Sequence, residues 1–178
     1  MNRPGLASAF VTQSLTVVPV NDNPILRING NIEYLNSSTA FKSVGTGITV
    51  SDAEQNYADG KLTVTLTTLN RSTPTFDILS IRTQGNGLKQ VSVTGNEIRY
   101  SGILIGTWSG NGSSMPLEVI WNSQATSAAI QAVIVRINYR KTSTAPVTTD
   151  RTLSFRLSDS TDSLGTQSNL VTRTIRFV

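Results

Sequence analysis

The chain has 178 residues, of which only 15% are charged, with 15 Lys and Arg against 11 Asp and Glu, a formal charge of +4, and neither Cys nor His. That length suffices for one domain with a buried core. The missing residue types exclude disulfides, thiolate nucleophiles, Ser-His-Asp triads, the usual zinc ligands and histidine pH switches. With so few charges against about a quarter in average proteins, the balance is Thr, Ser and Asn, the composition of an all-β surface.

In chain order, period-two alternation of β-branched and apolar residues between Gly, Asn, Asp and Pro predicts strands at 9–18, 25–28, 47–50, 61–68, 79–83, 90–94, 97–101, 103–107, 117–121, 134–141, 151–158 and 170–178. The inward face of 61–68 reads Leu62, Val64, Leu66, and that of 151–158 reads Leu153, Phe155, Leu157. Gly95-Asn96 supplies a tight turn, so 90–101 reads as a hairpin. Thr126, a capping hydroxyl ahead of Ala129, Ile130 and Val133, predicts a short helix over 126–133 that runs straight into the next strand. The fold class is therefore all-β, an antiparallel sandwich with one short helix. No segment reaches the roughly 18 apolar residues of a spanning helix, so no membrane insertion is expected.

Seven cations, Arg136, Arg140, Lys141, Arg151, Arg156, Arg173 and Arg176, lie in the last 43 positions at strand spacing, separated by Thr and Ser. The pattern reads as the solvated outer face of a sheet. Aromatic stacking platforms do not interleave with them, which argues against a nucleic-acid partner.

Residues 10–18 (FVTQSLTVV) align without gaps on residues 170–178 (LVTRTIRFV), with Val11, Thr12 and Val18 identical to Val171, Thr172 and Val178. On this reading 1–18 are the final strand of a preceding copy or an N-terminal arm, 19–24 a linker, and 25–178 the sandwich domain.

The linker Val20-Asn21-Asp22-Asn23-Pro24, followed by Ile48-Thr49-Val50-Ser51-Asp52-Ala53-Glu54, Ala58-Asp59-Gly60-Lys61-Leu62, and Ile137-Asn138-Tyr139-Arg140, resembles the tandem cadherin-like or Ig-like repeats of large bacterial surface and secreted proteins. The resemblance covers about residues 19–178 and implies a cadherin-like sandwich, an extracellular or cell-surface location, and calcium at the joint between successive domains. Carried over by position, it implicates Asn21, Asp22 and Asn23 in the linker, Asp52, Glu54 and Asp59 in the first long loop, and Asp159 and Asp162 in the loop after 151–158. These residue types suit the ion, because calcium takes six to eight oxygens from carboxylates, amide carbonyls and backbone. Glu54 stands where such repeats usually have a second Asp, and no glycine follows Asp159, both departures from the pattern. Without a metal, the same residues read as turns held by Asx hydrogen bonds.

The implied function is that of a structural and adhesive module, not an enzyme, with neighbouring copies as partners. Paired carboxylates such as Asp52 with Glu54 or Asp59 could serve a glycosidase, but Trp108, Trp121, Tyr34, Tyr57, Tyr100 and Tyr139 fall singly on separate segments, as core residues do. Two alternatives stay open. The arm could add to the sheet edge of another subunit and build a filament head to tail. Trp108 with the loop 109–115 could recognise cell-surface polysaccharide.

Overall fold

The computed structural model describes residues 10–16, 21–68, 76–112, 115–145, 149–159 and 167–178. Among them are thirteen strands and one helix. The strands are β1 (Ile25–Arg27), β2 (Ile32–Tyr34), β3 (Lys42–Ser43), β4 (Thr49–Ser51), β5 (Lys61–Thr68), β6 (Asp77–Ile81), β7 (Val91–Thr94), β8 (Glu97–Tyr100), β9 (Ile103–Ser109) and β10 (Leu117–Trp121). Helix α1 (Ser127–Val135) follows, then β11 (Ile137–Lys141), β12 (Arg151–Leu157) and β13 (Val171–Phe177).

The fold is all-β and sandwich-like. An eight-stranded sheet in the order β2-β13-β12-β5-β10-β9-β8-β7 forms one layer. A three-stranded sheet, β3-β11-β6, and the pair β1-β4 form the rest, with α1 packed on β4. Pairing is antiparallel except at one edge, where β2 runs parallel to β13 with Ile32 opposite Ile175. Alternation decides which face is buried: Leu62, Val64 and Leu66 on β5, Leu153, Phe155 and Leu157 on β12, and Leu117, Val119 and Trp121 on β10 belong to a single core. From the facing layer come Leu79 and Ile81, Ile137 and Tyr139, and Ala129, Ile130, Val133 and Ile134 of the helix.

The helix begins as expected, with the Thr126 hydroxyl accepting from the Ala129 N–H at 3.2 Å. It continues to Val135 instead of stopping at 133, so β11 starts at Ile137 rather than 134. Buried Val133 and Ile134 hold that extra turn on the core. The strands β2 and β3 carry no local signal strong enough to be read in advance. The expected strand at 9–18 is not seen over 10–16, which form no regular element; the rest of that segment lies outside the described residues.

Three of the seven C-terminal cations overturn the reading of a solvated face. Lys141, Arg151 and Arg173 are 1%, 8% and 3% exposed and point into the protein. Each replaces water with fixed acceptors, the condition for burying a charge. Arg173 donates to the carbonyls of Asn29, Gly30 and Val44, and burial lowers its pKa. Lys141 donates to the backbone carbonyls of Asn36 and Ala145. Arg151 pairs with Asp77 at 2.7 Å, and the Tyr139 hydroxyl donates to the other oxygen of the same carboxylate. Burial, and then the contact with Asp77, raises the Tyr139 pKa well above its ordinary value.

Candidate functional site: an acidic joint at one end of the sandwich

Antiparallel pairing of β1 with β4 puts Ile25 opposite Ser51. Residues 21–24, which enter β1, and residues 52–54, which leave β4, therefore emerge at the same end of that ladder. A second pairing brings in the third segment. Leu157 at the end of β12 lies opposite Leu62 at the start of β5, so Asp159 abuts the turn that precedes β5.

That turn is built for close approach. The Gly60 N–H donates to the Tyr57 carbonyl at 2.9 Å, and the Lys61 N–H donates to the Ser158 carbonyl at 3.0 Å. A Cβ on Gly60 would sit 2.3 Å from the Ser158 carbonyl oxygen and 2.9 Å from the Asp159 backbone, so only glycine lets the two loops touch. Asp59 supplies the left-handed residue of the turn, with φ +62, and its N–H donates to the Trp121 carbonyl at 3.0 Å.

Residues 21–26 are tied down by three side chains, Asp159 and Glu54 before β1 and Asn169 on it. The Asn21 amide donates to Asp159 Oδ2 at 2.8 Å, and the Asp22 N–H donates to Glu54 Oε2 at 3.3 Å. Beyond buried Pro24, the Asn169 side chain acts as a peptide mimic on β1. Its amide oxygen accepts from the Leu26 N–H and its amide nitrogen donates to the Leu26 carbonyl, both at 2.9 Å. Nothing in the local sequence marks Asn169 for this role, because its partner lies 143 positions away.

The electrostatics of the joint are unusual. Both carboxylate oxygens of Asp52 and Oδ1 of Asp159 are buried and have no hydrogen-bond partner among the described residues. Asp52 has its pKa raised, first by burial and then by the charges of Asp159 and Glu54; the Glu54 N–H and the Tyr57 hydroxyl lie near it, outside hydrogen-bond geometry, and oppose the shift. The Tyr57 hydroxyl makes its hydrogen bond with Ser127 at 2.8 Å, and burial pushes its pKa up to about 12.

Of the expected residues, Asn21, Asp22, Asp52, Glu54 and Asp159 are brought together. Asn23 is exposed beside them, Asp59 serves the turn, and Asp162 lies outside the described residues. Among the described residues, no three Asp or Glu side chains are grouped so as to hold a metal by themselves. The orphaned oxygens of Asp52 and Asp159 are nevertheless of the hard type that calcium takes, although the Asn21 amide meets Asp159 through its nitrogen.

The aromatic residues serve packing. Trp121, Tyr34, Tyr57 and Tyr139 are buried, and Tyr100 and Trp108 pack against the core from its margin. The Trp108 indole N–H is tied to the Gly95 carbonyl at 3.1 Å. No helix among the described residues is long and apolar enough to cross a membrane. Comparison with family models, curated proteins and solved structures finds no match to this chain.

Proposed function

We propose that this chain is a cadherin-like repeat of an extracellular or cell-surface protein, a structural and adhesive module whose joint to a neighbouring domain is stiffened by calcium. The observation that supports this reading is the meeting of residues 21–24 with three buried carboxylate oxygens, both of Asp52 and Oδ1 of Asp159, that have no hydrogen-bond partner among the described residues. Two desolvated anions side by side are costly unless a cation or protons neutralise them. Calcium would draw on Asp52, Asp159 and Glu54, with oxygens of Asn21, Asp22 and Asn23. When bound it supplies charge neutralisation and a cross-link between segments. The consequence is mechanical, because an entry strand fixed to two loops transmits torque that a free linker would dissipate.

Thermal unfolding in excess calcium and then in chelator tests the reading. At a hundredfold excess over Kd, calcium adds about 2.7 kcal/mol, a rise in Tm on the order of 5–10 °C for a chain of this size. An unchanged Tm would remove calcium from the proposal.

One observation favours a second reading, assembly in trans through residues 1–18. Phe10, Val11 and Leu15 are 99%, 92% and 88% exposed, which is costly for large apolar side chains. Their resemblance to β13 makes a sheet edge the natural place for them. Thr83 and Gln84 already bond to the outer edge of β7, so the receiving edge in this reading is that of β2. Light scattering separates the two readings. A filament subunit polymerises and loses that ability when residues 1–18 are deleted, whereas a repeat module stays monomeric in both forms.

A further inference from the structure

The outer face of the three-stranded sheet carries a second feature, built on different elements from the joint. Inward residues of β6 and β11 are Leu79, Ile81, Ile137 and Tyr139, so Ser80 and Arg140 lie on the opposite face. There the guanidinium carbons of Arg82 and Arg140 each lie 4.8 Å from the ring centroid of Phe41. The three ion pairs formed among the described residues are Lys61–Glu118, Arg99–Glu97 and Arg151–Asp77, and none uses Arg82 or Arg140. Arg140 Nε and Ser80 Oγ are also buried without a hydrogen-bond partner among the described residues.

A guanidinium held over a ring keeps N–H groups available for the capture of an oxyanion. Two such groups on one aromatic, with no carboxylate among the described residues paired to them, make an anion-binding surface. Nucleic acid fits it poorly. Phe41 is shared between the two arginines and offers no free stacking platform, and two cations meet few phosphates.

We propose that Arg82, Arg140 and Phe41 form a binding site for the anionic groups, carboxylate or sulfate, of an acidic polysaccharide. This goes beyond the calcium joint and does not depend on it.

The test is retention of the full chain, in chelator, on immobilised dextran sulfate, polygalacturonate, neutral dextran and a single-stranded DNA oligonucleotide, eluted by a salt gradient. The expected result is retention on one or both acidic polymers, which identifies sulfate or carboxylate as the group bound, with none on neutral dextran. Arg82→Gln, at an exposed position, should weaken binding about tenfold, the loss of one charge-assisted contact. Arg82→Gln/Arg140→Gln should abolish it, while Arg156→Gln leaves it unchanged. The proposal is overturned by absence of retention, by elution of Arg82→Gln with the parent chain, by equal loss in Arg156→Gln, or by tighter binding to DNA than to either acidic polymer.

Discussion

Asp77 and Asp159 are both nearly sealed, at 1% and 2% exposed, yet their surroundings are opposite. Asp77 meets Arg151 through one oxygen and the Tyr139 hydroxyl through the other, so its charge and its hydrogen-bonding capacity are both answered within the fold. Asp159 has one oxygen held by Asn21 and the other bare, and beside it Asp52 has two bare oxygens. The first site is finished by its own chain. The second has the form of a half-built one, and such asymmetry between two buried carboxylates is the physical ground for seeking a missing cation at the joint.

The contrast can be broken most severely at the finished site. Asp77→Asn leaves Arg151 buried without its counter-charge and should lower stability by about 3–5 kcal/mol, equally with and without calcium, as read by denaturant unfolding. The same change at the joint, Asp159→Asn, should be nearly neutral in chelator, because it removes an uncompensated charge. It should instead erase the gain of about 2.7 kcal/mol that excess calcium gives the parent chain.

Gly60→Ala sharpens the comparison by geometry rather than charge. The added methyl meets the Ser158 carbonyl and the Asp159 backbone, so overpacking should cost about 1–3 kcal/mol and weaken the calcium response by moving Asp159. An equal cost with a fully retained response would mean that the approach of these two loops is irrelevant to the ion.

The smallest effect concerns pH. Asp52 has its pKa raised in the folded state by burial, so the folded chain binds the proton more readily than the unfolded chain. Stability from this group is therefore present below the unfolded value, about 3.9, and is lost as pH rises through the raised folded value. In chelator, Asp52→Asn should flatten that decline. Denaturant midpoints across the acid range check it, and a midpoint that rises with pH equally in both proteins would contradict the sign.

Much of the layer structure was legible in the sequence, because β5, β10 and β12 alternate cleanly over their whole lengths and Thr126 caps the helix in the usual way. The hairpin of β7 and β8 was likewise visible in Gly95-Asn96, where Gly95 adopts φ +59. Long-range partners were not legible. Strand β2 has three residues and takes its register from β13, and Arg173 follows the inward period of its strand although its charge suggests the outside. The carbonyls that satisfy Arg173 come from loops at least 129 positions away. At the joint, the resemblance to cadherin-like repeats implicated Asn21, Asp22, Asn23, Asp52, Glu54, Asp59, Asp159 and Asp162, of which Asn21, Asp22, Asp52, Glu54 and Asp159 meet. Asn169 and Gly60 were missed as parts of it, because their roles exist only once distant loops meet.

Calorimetric titration of calcium into the parent chain and into Asp52→Asn/Asp159→Asn tests the joint most directly. The expected result is saturable binding to the parent, with Kd on the order of 10⁻⁴–10⁻³ M, the range of extracellular calcium modules, and its loss in the variant. Absence of binding to the parent at millimolar calcium, or unchanged binding by the variant, would contradict a calcium site built on these two carboxylates.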